Sequence, residues 1–206
     1  MGIQKRTLDF LHRSLVHTGV PLDQMRMCEL GNQHLRRNAQ RFLRSQKKPL
    51  FTTGKEYFTH LGVDHVSIDL NGQDGALPLD LCQEITDPNL VGTFDVVTNM
   101  GTSEHVEDQF SCFLNIHNLG KKGALFIHLI PEVGSYLGHG LYKYNTSFFR
   151  RLAEECGYRV LFLQILDIGQ GNLVGAVVEK TDTPFLSERK FQKMWSETHA
   201  PKVTTF

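Results

Sequence analysis

Between Met25 and Lys180 the chain alternates short apolar runs with helical segments, and almost every run stops at an acid, an asparagine or a glycine. That alternation restricts the fold severely. Parallel strands need a crossover between them, and a helix is the usual crossover, so strand–helix alternation predicts a mainly parallel sheet covered on both faces. Runs at Met25–Leu30, His65–Leu70, Phe94–Asn99 and Ala124–Leu129 read as strands, with a weaker strand or turn at Leu77–Leu81. Leu35, Ala39, Phe42 and Leu43 share one face of a helix near 35–46, while Arg37, Arg41, Arg44 and Lys48 recur on the other. A short helix is expected at Lys55–Leu61. Another carries Phe110, Phe113, Leu114 and His117 and closes at Gly120. Asn145 or Thr146 can cap a further helix that Gly157 stops. Tyr158–Ile168 and Asn172–Lys180, joined by Gly169-Gln170-Gly171, predict a final hairpin and hence one antiparallel strand. The expected fold class is α/β: a doubly wound, seven-stranded, mainly parallel sheet with helices on both faces.

Leu8, Leu11 and Leu15 mark a helix before this unit, ended by Gly19-Val20-Pro21. The organisation expected is an N-terminal helix within 1–24 packed on a domain spanning 25–180, followed by a polar tail over 181–206. With 206 residues, 40% of them hydrophobic, the chain can bury an ordinary core. Its net charge is zero, which argues against a general polyanion binder, so nucleic acid is not the expected partner. Cys28, Cys82, Cys112 and Cys156 are scattered without a Cys-x-x-Cys pair and read as reduced thiols. The first residues lack a secretory apolar core, and no apolar run reaches the roughly 18 residues of a membrane span. A cytoplasmic protein with no membrane association is therefore expected.

The chemistry concentrates at strand ends. Met27-Cys28-Glu29-Leu30-Gly31-Asn32-Gln33 ends its apolar run in a tight turn, and Val66-Ser67-Ile68-Asp69-Leu70-Asn71-Gly72 ends in a lone carboxylate. In a doubly wound sheet the first turn brings backbone close to a cofactor, and a later strand-end acid holds a ribose hydroxyl pair. The pairing points to an adenosine-containing cofactor. A nicotinamide cofactor would need Gly-x-Gly-x-x-Gly to seat its pyrophosphate on a helix N-terminus, and the stretch from Gly31 to Arg36 has one glycine of three.

The order of these elements and their strand ends resembles class I S-adenosylmethionine-dependent methyltransferases over about Met25–Lys180. Glu29-Leu30-Gly31 looks like the family's first motif, Asp69 like its ribose acid, and Asp80-Leu81 like the loop that meets the adenine amino group. Asn99-Met100-Gly101 lies where the family lines the far side of the cofactor. Ser67-Ile68-Asp69-Leu70-Asn71-Gly72, Gly101-Thr102-Ser103-Glu104-His105-Val106 and His139-Gly140-Leu141-Tyr142 resemble more narrowly a bacterial and phage subgroup. The resemblance implies a Rossmann-like methyltransferase fold, S-adenosyl-L-methionine as cofactor, and cofactor contacts at Glu29, Gly31, Asn32, Gln33, Asp69, Leu70, Asp80, Leu81, Asn99 and Gly101. Two departures stand out: Asn32-Gln33 follow Gly31 where further glycines are usual, and Asp69 lies well beyond the roughly 20 residues of a single crossover.

For the transfer step the candidate residues are His139, His105 and Glu104. Histidine suits a base because it titrates near neutrality. Glu104-His105 follow the fourth strand run directly, although Thr102 or Ser103 would also serve as a helix cap with Glu104 in its first turn. His139 sits in a glycine-bearing loop that would cover the strand ends. His117 lies on an apolar helix face and reads as a core residue, and His128 near a strand end is a lesser candidate. Glu104, His105, His128 and His139 can converge in space, but no His-x-x-x-His or His-Glu-x-x-His spacing appears, so no metal is expected. The basic helix face reads as solvated, with an anionic acceptor as the alternative. The expected function is methyl transfer to oxygen or nitrogen of a small-molecule or glycan acceptor; the alternative is a non-catalytic cofactor-binding or partner module on the same fold.

Overall fold

The computed structural model describes residues 2–198. Helix α1 (Lys5–Leu15) leads into strand β1 (Arg26–Leu30), helices α2 (Arg37–Ser45) and α3 (Gly54–His60), and strand β2 (Asp64–Ile68). Strand β3 (Phe94–Met100), helix α4 (Gln109–Leu119), strand β4 (Gly120–Pro131) and helix α5 (Thr146–Cys156) follow, then β5 (Arg159–Asp167), β6 (Asn172–Glu179) and α6 (Glu188–Thr198). Among the described residues one sheet holds all six strands in the order β2-β1-β3-β4-β6-β5, with β6 alone running against its neighbours. Helices α1, α2 and α3 pack over one face and α4, α5 and α6 over the other, each around its own apolar cluster. Burial on both faces explains why β3 and β4 read as continuous apolar runs rather than alternating ones.

The sheet has six strands where the sequence pattern predicts seven. The stretch after β2 makes one parallel bridge, Ile68 to Leu77, with the Leu77 amide donating to Ser67 O (2.8 Å) and the Asp69 amide to Leu77 O (3.0 Å). Pro78 follows and has no amide to extend the ladder.

Local chemistry sets the helix ends. Thr53 and Glu56 form a capping box at α3, Asp108 caps α4 and Asn145 caps α5. The cap of α4 is thus Asp108, not Thr102 or Ser103. Gly157 ends α5 at φ 62, a conformation that favours glycine. The polar tail also folds in part: α6 buries Phe191 and Met194 against α4 and α5, and Trp195 stacks on Phe191 at 5.9 Å. Residues 199–206 of that tail lie outside the described residues. No helix among the described residues is long and apolar enough to cross a membrane.

The N-terminal segment reaches the centre of the molecule. Ile3 pairs with Leu35: the Ile3 amide donates to His34 O (2.9 Å) and the Arg36 amide to Ile3 O (2.8 Å). On its other side the same stretch pairs with the start of α3, through Leu35 N to Thr52 O (2.8 Å) and Gly54 N to Gln33 O (2.7 Å). The loop leaving β1 is therefore held from both flanks.

Candidate functional site

In an open α/β sheet, ligands bind beyond the carboxyl ends of the strands, where the strand order reverses. Here the order reverses between β1 and β3, and a cleft of about 530 Å³ opens at that point. Gly31, Asn32, Gln33, Asp69, Leu70, Asp80, Leu81 and Gly101 line it together with Thr102 and His105. Eight of the ten cofactor-contact candidates named from the sequence thus meet in one cavity. Its volume falls in the range of small-molecule sites.

Gly31 makes the turn at φ 77, and its amide donates to Ile68 O at 2.7 Å. A Cβ there would lie 2.5 Å from Thr102 Oγ1, whose hydroxyl in turn donates to Leu30 O at 2.7 Å. Glycine is required both by backbone angle and by space. Asp69 secures the loop: Oδ2 accepts the Asn32 amide (2.9 Å) and Oδ1 accepts the Asn71 amide (3.0 Å). Each carboxylate oxygen keeps a further lone pair for a ligand hydroxyl. Asn32 directs its Nδ2 to Asp74 Oδ2 (2.7 Å) and Gln73 O (3.2 Å), leaving its Oδ1 as a buried acceptor without a partner. Asp80 is exposed at the rim and accepts the Cys82 amide at 2.9 Å.

Two of the ten candidates do not face the cleft. Glu29 is fully buried beneath the loop, where Oε2 accepts the Gln33 amide at 3.2 Å. Its neighbour is His65, 3.8 Å away and equally sealed. Burial pushes the Glu29 carboxyl up to about 8, with the Gln33 amide partly offsetting. Burial, reinforced by Lys55, holds His65 down at about 4, so both groups are neutral near pH 7. Asn99 is also fully buried; it donates to Ser103 Oγ (2.9 Å), accepts the Ser103 amide (3.1 Å) and meets His128 Nδ1 at 3.2 Å. Both residues shape the loops that line the cleft rather than the cleft itself.

Beside the cleft, Glu104, His105 and His139 converge. Their ligating atoms lie within 4.8 Å of one another, a meeting of donors for which the sequence spacing gives no sign. The two imidazoles stand edge to face at 4.7 Å and approach the same oxygen, Glu104 Oε1, at 3.9 Å and 3.7 Å. Burial lowers the His105 pKa, and Glu104 opposes that shift. Glu104 is held by its own backbone: its carbonyl accepts the Leu141 amide (2.7 Å) and the Tyr142 amide (3.2 Å), and Gly140 packs on its side chain so closely that a Cβ would lie 2.8 Å from Glu104 Cγ. The loop after β4 is thereby clamped onto the segment after β3, which unites residues far apart in the chain.

His139 also lines a second cavity, a polar groove of about 730 Å³ with Arg36, Arg37, Arg41, Tyr136 and the N-terminal residues Gly2 and Gln4. The basic face of α2 thus borders a cavity that sequence reading leaves as solvated surface. His128 does not join this cluster. It is buried beside Phe149 (4.8 Å) and Phe113, and burial lowers it to about 3. His117 bonds the Tyr158 hydroxyl at 2.7 Å in the core, and burial, with Lys180, lowers it to about 4.

Comparison with protein-family models and with curated protein sequences found no match. Comparison with solved structures found several methyltransferases. A 1,6-didemethyltoxoflavin-N1-methyltransferase from Burkholderia thailandensis, crystallised with bound 1,6-didemethyltoxoflavin and S-adenosylhomocysteine, superposes with a TM-score of 0.60 at 14% identity, covering 87% of this chain and 80% of that one. A candidate sarcosine dimethylglycine methyltransferase from Galdieria sulphuraria gives 0.55 at 14% identity over 86% of this chain and 85% of its own. A variant of the 16S rRNA (adenine(1408)-N1)-methyltransferase from Catenulisporales acidiphilia gives 0.52 at 11% identity over 84% and 91%. The chain has the Rossmann-like methyltransferase fold, with six strands among the described residues.

Proposed function

We propose that this protein is a methyltransferase that takes its methyl group from S-adenosylmethionine. The observation that carries the reading is the cleft at the sheet's switch point, lined by Gly31, Asn32, Asp69 and Asp80 together with His105. The residues present fit that cofactor. Asp69 offers carboxylate lone pairs for a ribose diol, Asp80 stands exposed at the rim for an adenine amino group, and Asn32 carries a buried acceptor without a partner. The loop after β1 has no glycine-rich phosphate cradle, and a sulfonium cofactor needs none. When bound, the cofactor supplies an already activated methyl group, so the protein's work is alignment, exclusion of water and control of one proton.

Glu104, His105 and His139 form the acceptor side. They stand between the cleft, which His105 lines, and the arginine-lined groove, which His139 lines. Arg37 and Arg41 favour an acceptor carrying negative charge. The zero net charge of the whole chain supports a small molecule or glycan over a polynucleotide. The methylated atom on this reading is an oxygen or nitrogen.

Calorimetric titration with S-adenosylhomocysteine and S-adenosylmethionine, with NAD as control, tests the cofactor. Saturable binding of the sulfur compounds alone is expected. Binding of NAD alone, or of none of the three, would overturn the reading. Release of S-adenosylhomocysteine on adding anionic sugars and metabolites then separates an enzyme from a binding module.

A further inference from the structure

Both carboxylate oxygens of Glu104 are buried without a hydrogen-bond partner, and so is Nε2 of His139, which faces one of them. A fully buried carboxylate without donors is costly unless something positive reaches it. Lys143 brings a positive charge near Glu104, but its ammonium donates to the His139 carbonyl and no donor reaches either carboxylate oxygen. Three groups, each offering one ligand atom, thus converge within 4.8 Å, and neither imidazole comes within hydrogen-bond distance of Glu104. The two imidazoles remain 48% and 39% exposed, so the space between them is reachable from outside.

We propose that Glu104, His105 and His139 bind one divalent first-row metal ion, through a carboxylate oxygen and two imidazole nitrogens. Ligands at about 2.1 Å from a common ion stand roughly 3.0–3.5 Å apart. The observed separations of 3.7 and 3.9 Å, within a cluster spanning at most 4.8 Å, close to that range by small rotations of the two exposed rings. Two imidazoles with one carboxylate select manganese, cobalt, zinc or iron over magnesium and calcium, which prefer all-oxygen shells. Three protein ligands leave further positions free, as in catalytic rather than structural sites. His105 lines the cleft and His139 the arginine-lined groove, so the ion would stand between the two cavities.

The ion site stands on the donor geometry alone; its use rests on the methyl-transfer reading. An acceptor hydroxyl bound to the ion loses its proton to solvent more readily. The new O–CH₃ bond then forms as the S–CH₃ bond breaks, and its electron pair stays on sulfur.

The test uses untagged protein stripped with chelator and titrated with Co²⁺, followed by visible absorption and displacement by Zn²⁺. One equivalent is expected, with affinity at least tenfold weaker in His139→Ala, His105→Ala and Glu104→Gln, and with a concentration-dependent rise in Tm for the wild type alone. The two histidine variants change exposed side chains and keep the fold, so they carry the test even if Glu104→Gln does not fold. Equal Co²⁺ binding by wild type and His139→Ala, or none by either, would overturn the site. S-adenosylhomocysteine binding in the same samples separates the two readings: its absence beside intact metal binding sinks the cofactor, and the reverse sinks the ion site.

Discussion

Two glutamates in this molecule are fully buried, and each meets a histidine at almost the same distance, 3.8 Å for Glu29 and His65 and 3.7 Å for Glu104 and His139. The surroundings differ. Glu29 accepts the Gln33 amide, and its histidine is sealed with it. Burial drives both toward neutrality, and the pair becomes a prop under the loop after β1. The side chain of Glu104 accepts no hydrogen bond, and its histidines are open to solvent from two cavities. Equal distances between equal residue types therefore carry different meanings. A buried acid with a backbone donor and a closed neighbour serves the fold, whereas a buried acid with no donor and solvent-open neighbours is poised to receive a ligand.

The largest effect should come from the loop that Glu29 supports. Asp69→Ala removes the acceptor for ribose hydroxyls and frees the Asn32 amide. Hydrogen bonds to a charged group contribute about 1.5–3 kcal/mol each, so S-adenosylhomocysteine affinity should fall at least a hundredfold by calorimetry. Undiminished affinity in a folded variant would remove Asp69 from the site.

A second prediction concerns the closed pair itself. Glu29 keeps its proton in the folded state from about 4.5 to about 8, so through that window stability falls as pH rises. His65 stays neutral in the folded state from about 6.5 down to about 4, so there stability falls as pH drops. The two slopes cancel between about 4.5 and 6.5. From about 6.5 to 8 the Glu29 slope alone remains and costs about 2 kcal/mol. Denaturant melts of Glu29→Gln should lack that alkaline loss, and an identical loss in the variant would show that Glu29 ionises normally.

The smallest effect sharpens the contrast from the open side. His139→Ala should change S-adenosylhomocysteine affinity by less than about threefold, because His139 borders the groove and not the cofactor cleft. A large loss would merge the two halves of the site into one.

The strands and their stops were legible in the sequence because their signals are local. Gly31, Asn145 and Gly157 each turn or cap the chain where they stand, through backbone angle or a nearby amide, and Asp69 closes its own turn on the Asn71 amide. What was hidden depends on distant partners. Asn99 occupies a strand-end position that faces a ligand in the resembled family, but Ser103 and His128 claim its amide. Glu29 sits in the motif yet below the surface of the cleft. The seventh strand fails at Pro78, and α6 gains its place by burying Phe191, neither of which periodicity over a short window decides. The Glu104 cluster escapes spacing rules because a clamp at Gly140, not a shared helix, brings His139 to it.

The docking of α1 also has a consequence in time. Phe10 lies directly against Gly175 of β6, where a Cβ would stand 3.1 Å from the ring, and Gln4 bonds Gln170 across 166 residues of chain. At about 5–20 residues per second of synthesis, the helix is made on the order of ten to thirty seconds before the surface that receives it. Throughout that interval Leu8, Phe10 and Leu11 lack their final cover. Ile3, which braces the loop after β1, directly precedes the same helix, so the loop's final support arrives with one of the last strands to be made.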